Sequence, residues 1–190
     1  MKTTINGIEI TYEVLNPEGH GDWVILLNGV MATYSSWNML AEVLTQQGFK
    51  ILLHDLRGQL LSEKPPGPYS WTDHISDLHE LLNFLDIKSS HLIGTSYGGE
   101  LALYYSLHFP GNVLSLTVID SVSHVEPMLK KSVEAWIVAA EQNSPESFFR
   151  VLLPTIYGAG LIEKNEDFLE KRAEKMKNNS HDYLRRQFEL

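Results

Sequence analysis

Cysteine is absent from this 190-residue chain, which excludes a disulfide framework, a thiolate metal site and a cysteine nucleophile together. Positive charge is also scarce: 15 Lys and Arg stand against 24 Asp and Glu, for a formal net charge of -9. That balance repels phosphate backbones and anionic lipid surfaces, so neither nucleic acid nor membrane is an expected partner, and a neutral or apolar small molecule is the expected substrate. No run approaches the roughly 18 apolar residues of a membrane span, and the opening Met1-Lys2-Thr3-Thr4-Ile5 lacks an apolar targeting segment. The expectation is a soluble, cytoplasmic protein.

Apolar residues make up 43% of the chain, enough for one sizeable core or one core with an appended unit. Asn6-Gly7 suits the two positive-φ positions of a type I′ turn, so residues 2 to 14 read as a β-hairpin. Short apolar runs at Trp23 to Leu27, Ile51 to Leu53, Leu92-Ile93 and Leu114 to Ile119 are of the buried parallel-strand kind. Between them the period becomes helical. Trp37, Leu40, Ala41 and Leu44 form one stripe, closed by Gly48; Trp71, Ile75, Leu78, Leu82 and Leu85 form another, opened by a Ser70/Asp73 capping box. A third helix runs from about Gly98 to His108 and stops at Phe109-Pro110-Gly111.

Strands alternating with helices predict right-handed crossovers and a mostly parallel sheet. Beyond Ser121 no strand run occurs, and Leu129, Val133, Trp136, Ile137 and Ala140 follow a helix. Residues 1–122 are therefore read as an α/β core and 123–190 as a helical unit. Pro145, Pro154 and Gly158-Ala159-Gly160 are expected to break that unit, and Glu163 to Lys177 to form an exposed amphipathic helix. Trp136, Phe148, Phe149 and Tyr157 either line an apolar pocket or form the unit's own core.

Gly94-Thr95-Ser96-Tyr97-Gly98-Gly99 follows a buried strand and opens a helix, the setting in which G-x-S-x-G becomes a nucleophile elbow. The glycines are needed where strand and helix crowd each other, and the strained turn leaves the Ser96 hydroxyl at the carboxyl edge of the sheet. An oxyanion needs donors. The Tyr97 N–H at the positive end of the helix is one. The loop Leu27-Asn28-Gly29-Val30-Met31, with Gly29 permitting its turn, supplies the Val30 N–H as the other.

With these motifs in chain order the sequence resembles the α/β-hydrolase superfamily over its whole length. Asn28-Gly29-Val30 with Trp37 resembles the family's His-Gly-x loop and following Trp. Asp55-Leu56-Arg57-Gly58 with Ser62 resembles its Asp-x-Arg-Gly-x-Gly-x-Ser loop, and Ser96 matches the nucleophile. The nearest group is that of small esterases, lactonases and carbon–carbon-bond hydrolases, in which a helical cap follows the sixth strand; residues from about Ser123 resemble that cap. Asn28 stands where the family usually has histidine and Leu60 where it usually has glycine, and an Asn side chain carries both a donor and an acceptor to brace the loop. The resemblance implies a cofactor-independent hydrolase acting on a small ester, lactone or related carbonyl compound through a Ser96 acyl-enzyme. It leaves peroxidase and acyltransferase branches open.

In the family the acid and the histidine follow the nucleophile on strands beyond the cap, so the chain is expected to stop before the last two strands. Val113 to Asp120 then becomes an apolar edge strand through which a homodimer can form. Asp120 resembles the position of the triad acid in a minority of relatives, beside the plainer reading that it caps the strand end. His124 reaches Ser96 only with the cap entrance folded inward. His20, His54, His74, His79, His91, His108 and His181 read as structural or solvated, no metal is expected, and Asp55 and Arg57 are read as organising their loop. Two further readings are a truncated, non-catalytic binding protein and one half of a discontinuous enzyme whose remaining strands arrive on another polypeptide.

Overall fold

The structure is a computed structural model that describes residues 1–142 and 144–178. The chain divides into two compact units, Met1–His124 and Val125–Leu190.

The first unit is built on six strands: β1 (Lys2–Ile5), β2 (Ile8–Leu15), β3 (Trp23–Leu27), β4 (Lys50–His54), β5 (Ser90–Thr95) and β6 (Val113–Ile119). Their spatial order is β1-β2-β4-β3-β5-β6. The first two form the expected hairpin, with Asn6 at φ 49 and Gly7 at φ 81, the paired positive values of a type I′ turn. β2 joins β4 antiparallel, and β4, β3, β5 and β6 run parallel.

Three helices connect the parallel strands: α1 (Asn38–Gln46), α2 (Trp71–Phe84) and α3 (Tyr97–His108). Val24, Leu26, Ile51 and Leu53 pack with Ala41 of α1 on one face of the sheet. Ile25, Leu27, Leu52 and Leu92 pack on the other with Ile75, Leu78 and Leu82 of α2 and Leu101 and Tyr105 of α3. Cover on both faces explains why β3 and β4 read as unbroken apolar runs rather than alternating ones. Ser70 caps α2, accepting from the Asp73 N–H while the Asp73 side chain returns a bond to the Ser70 N–H. Gly48, at φ 90, terminates α1. Trp37 lies just ahead of α1, in a short 3₁₀ turn over Tyr34–Trp37.

β3 lies between β4 and β5, so the chain leaves it to one side and later returns on the other. This reversal opens a crevice at the carboxyl ends of β3 and β5, where ligands bind in sheets of this kind.

The second unit contains α4 (Pro127–Gln142), α5 (Pro145–Ile156), α6 (Ala159–Lys164) and α7 (Glu166–Lys175), with a 3₁₀ turn at Met176–Asn178. Its core holds Ala139, Ala140, Phe148, Phe149, Leu152, Leu169 and Ala173. The Arg150 guanidinium donates to Glu146 at 2.9 Å and to Glu170 at 2.6 Å, tying α5 to α7. Pro145 begins α5 behind a Ser144 cap, but Pro154 does not break it. The Tyr157 N–H still reaches the Leu153 carbonyl at 3.0 Å, so the helix closes past the missing donor. The expected break at Gly158 does occur, since Gly158 is the N-cap between α5 and α6, while Gly160 lies within α6. The segment Glu163 to Lys177 is not one helix: Asn165, at φ -133 and ψ 28, separates α6 from α7. Residues 179–190, including His181, lie outside the described residues. Among the described residues no helix is long and apolar enough to cross a membrane.

Candidate active site

Ser96 sits between the end of β5 and the first turn of α3, at φ 50 and ψ -124. A side chain at positive φ strains the backbone, and such a residue persists only where its surroundings hold it. Here they do. The Ser96 N–H donates to the Ile119 carbonyl at 2.9 Å, and the Ser96 carbonyl accepts from Gly99 N–H at 2.8 Å and Glu100 N–H at 3.1 Å. The Ser121 hydroxyl adds a further bond to that carbonyl at 2.7 Å. The Ser96 side chain makes no capping bond to the helix it precedes, so its hydroxyl is not committed to the structural task that a serine at this place usually performs.

The flanking glycines are sterically required. A Cβ on Gly94 would lie 2.6 Å from the Gly99 nitrogen, and one on Gly98 would lie 2.7 Å from the Asn28 carbonyl oxygen. The second contact shows how closely α3 approaches the loop after β3. That loop carries Val30, half-buried, and a Cβ added to Gly29 would touch Ser96 Cβ at 3.4 Å. The elbow and the loop are thus neighbours, with Tyr97 first in α3 and Val30 one residue beyond the point of contact.

The positive φ of the loop falls on Met31, at 56. The Ala32 N–H closes a turn onto the Gly29 carbonyl at 3.4 Å, and in a type II turn the third position takes the positive φ. The small size of Gly29 matters for its approach to Ser96.

A web of buried polar groups fixes this loop. The Asn28 amide donates to the His54 carbonyl at 2.9 Å, to Asp55 at 3.2 Å and to Gln59 at 3.2 Å. The Gln59 amide in turn donates to the Gly29 carbonyl at 3.0 Å. The Asp55 carboxylate accepts from Tyr34 N–H at 2.7 Å and Leu61 N–H at 3.0 Å, while burial pushes its pKa up. The reading of Asp55 as a loop organiser fits these bonds. Arg57 turns elsewhere: its guanidinium grips Asp77 of α2 in a two-point contact, at 2.6 and 2.8 Å.

Behind the elbow the Tyr97 ring stacks on Trp71 with centroids 4.8 Å apart and meets His74 edge-on at 5.5 Å. His74 and His54 are both buried. Neither ring nitrogen of His74, nor Nδ1 of His54, has a partner among the described residues. Desolvation lowers the His54 pKa to about 4; desolvation, with Arg57 adding to it, lowers that of His74 to about 3. Both rings are neutral packing elements. His79 stacks on Phe109 at 3.9 Å, His91 Nδ1 meets the Ser115 hydroxyl at 2.7 Å, and His108 Nδ1 meets the Tyr104 carbonyl at 2.9 Å. His20 packs over Gly48, and His124 is exposed.

Asp120 is exposed and takes φ 47. Its two neighbours, Ile119 and Ser121, are the residues that hold the Ser96 backbone, so the structure brings its main chain beside the elbow. No group of three or more His, Asp or Glu that could hold a metal occurs among the described residues.

Sequence reasoning missed Gln59, Asp77, Ser121 and Met31. Asp77 carried a signal, being a charged residue three positions from His74 on the apolar side of a helix. Ser121 carried none, because its bond to Ser96 depends on two segments meeting in space.

A strained serine joining a parallel strand to a helix, at the reversal point of a sheet covered on both faces, defines a class of α/β protein. The model of the alpha/beta hydrolase fold family matches residues 22–158, and the chain belongs to that family. RutD of Caulobacter segnis, a carbamate hydrolase by name, is 26% identical over 165 residues, which cover 85% of this chain and 61% of that protein. Epoxide hydrolase 2 of Siraitia grosvenorii is 34% identical over 100 residues, 52% of this chain and 32% of its own. Among solved structures, MGS-M2, an α/β hydrolase from a Medee basin deep-sea metagenome library, superposes with a TM-score of 0.89 at 25% identity, over 100% of this chain and 70% of its own. The enol-lactonase of Burkholderia xenovorans matches in fold, with a TM-score of 0.87 at 20% identity, over 100% of this chain and 72% of its own. The chain spans about three-fifths of the length of the first of these curated relatives and about a third of the second.

Proposed function

We propose that this chain carries the nucleophile half of a serine hydrolase, with Ser96 attacking the carbonyl carbon of a small ester, lactone or related substrate. The observation that carries the reading is the Ser96 backbone at φ 50, held by four hydrogen bonds while its hydroxyl makes no helix cap. Strain kept in place by that many contacts is the usual mark of a preset attack geometry.

In the proposed reaction the Ser96 hydroxyl oxygen bonds to the carbonyl carbon as a base removes its proton. The Val30 and Tyr97 N–H groups hold the developing oxyanion, and Tyr97 lends the positive end of α3. The alcohol departs with a proton, and water resolves the acyl-enzyme to acid and free Ser96. No cofactor enters these steps. The helical unit that begins at Val125 is read as the counterpart of the family's cap. In this family the base is a histidine that follows the nucleophile and the acid in chain order.

A second reading, a protein that binds but does not turn over, is favoured by the places of the histidines. His79, His91 and His108 are each engaged with a neighbour outside the elbow, and His54 and His74 are buried. Intact-mass detection of a fluorophosphonate adduct, on the native chain and on Ser96→Ala, separates the two. One adduct on the native chain and none on the variant supports an activated Ser96. No adduct on a chain folded by circular dichroism supports the binding reading.

A further inference from the structure

The peptide unit between Gly29 and Val30 has little of its own to hold it. Glycine leaves the torsion on its side of the unit free, so the Gly29 carbonyl and the Val30 N–H turn together as one rigid plate unless an outside group fixes them. The unit is trans, and across a trans plate the carbonyl and the N–H point in opposite directions. Whatever grips the Gly29 oxygen therefore aims the Val30 N–H.

Two donors reach that oxygen. The Ala32 N–H closes its turn at 3.4 Å, near the outer limit of a hydrogen bond, while the Gln59 side chain donates from Nε2 at 3.0 Å, the usual length. Gln59 is only 3% exposed, and a hydrogen bond shielded from water is electrostatically stronger. Its amide cannot turn end for end. Gln59 Oε1 accepts from the Leu56 N–H at 3.1 Å and from the Asn28 amide at 3.2 Å, so two donors claim that end and leave Nε2 for the carbonyl. The Gln59 main chain is tied as well: its N–H donates to the Leu56 carbonyl at 2.9 Å, and its carbonyl accepts from the Ser62 N–H at 3.1 Å. The grip on Gly29 is thus anchored at every point behind it.

We propose that Gln59 is a positioning residue whose side-chain amide, fixed at Oε1 and donating from Nε2 to the Gly29 carbonyl, sets the direction of the Val30 N–H. Gln59 touches no reacting atom. Its catalytic consequence rests on the Ser96 reading above, in which that N–H holds the oxyanion; the orientation itself does not.

Gln59→Met tests this, since it keeps the length of the side chain, removes the donor and adds no charge beside Asp55. In the full chain, weakly aligned, the residual dipolar coupling of the Val30 N–H reports its direction. In Gln59→Met that coupling should shift, while those of β3 and α3 keep their native values. A second measurement needs no variant and decides the matter if Gln59→Met does not fold: the native chain should show a scalar coupling through the hydrogen bond, from Gln59 Nε2 to the Gly29 carbonyl carbon. Fluorophosphonate kinetics read the chemistry. The maximal rate of Ser96 labelling should fall about 10²-fold in Gln59→Met with the half-saturating reagent concentration unchanged, because a donor is lost from the transition state and not from binding.

An unmoved Val30 coupling in folded Gln59→Met overturns the proposal and makes the Ala32 turn the holder. So does a missing Gln59–Gly29 coupling where those between β3 and β4 are seen, or undiminished labelling in a variant whose Val30 N–H has moved. A native chain that never labels, with the Val30 coupling shifted in the variant, supports positioning by Gln59 and removes the Ser96 reading instead.

Discussion

The Ser96 N–H donates to the Ile119 carbonyl across 2.9 Å, so the last residue of β6 holds the backbone of the turn that ends β5. With its carbonyl also fixed by Ser121, Ser96 is kept at φ 50, where glycine would rest without strain. Ser96→Gly is expected to stabilise the chain by about 1 kcal/mol while abolishing fluorophosphonate labelling. Urea unfolding midpoints and intact mass together check this. A less stable glycine variant would show that the turn is not strained.

Two residues further on, the opposite result is expected. Gly98 abuts the backbone of Leu27 and Asn28, with 2.7 Å from its virtual Cβ to the Asn28 oxygen, and backbone cannot move aside as a side chain can. Gly98→Ala should lose about 3 kcal/mol or fail to fold. A urea midpoint within experimental error of the native value would contradict the close approach.

Arg57 and Asp77 join the loop after β4 to α2 through a contact only 12% and 8% exposed. Removing the anion leaves a largely desolvated guanidinium whose other partner, Asp73, stands 3.3 Å away. Asp77→Asn should destabilise by about 3 kcal/mol. Arg57→Lys, which offers a point charge in place of a fork, should lose about 2 kcal/mol rather than behave conservatively. Denaturant titration of both variants decides whether the two-point geometry matters.

His54 and His74 give the chain a stability that depends on pH. Both folded pKa values, about 4 and about 3, lie below the ordinary 6.5. Below 6.5 the unfolded chain binds protons that the native state refuses. Their contribution is therefore complete above 6.5 and is lost as pH falls toward the folded values, by up to about 1.4 kcal/mol per pH unit for each histidine. His74→Phe keeps the aromatic packing against Tyr69, Trp71 and Tyr97 and breaks no hydrogen bond. It should reduce the acid slope by about half. Urea midpoints across the pH range measure this, and an unchanged slope would place the sensitivity elsewhere.

Much of the first unit was legible because its signals are local. Asn6-Gly7 specifies its own turn, Ser70 and Asp73 cap one helix reciprocally, and the apolar runs of β3 and β4 report burial on both faces. The elbow was legible because Gly94 and Gly98 are demanded by contacts a few residues away in the chain or in the adjoining strand. Pro154 misled, since one missing donor near a helix end is tolerated when the following turn still closes. The positive φ of Met31 in the loop after β3 was not legible, because a turn places it on a residue type that carries no signal for it. In the polar web, Asn28 and Asp55 were legible as loop organisers, but Gln59 and the pairing among the three were not, because the partners are set by tertiary approach.

That web has a consequence for anyone recombining members of this family. Asn28, Gly29 and Tyr34 on one loop share their hydrogen bonds with Asp55 and Gln59 on the next, so the two segments are a single transferable cassette. Exchanging residues 28–37 alone for those of a histidine-bearing homologue would import a side chain without its counterparts. Moving 28–37 together with 55–62 carries the complete set, and chimeras should tolerate crossover points outside both loops far better than between them.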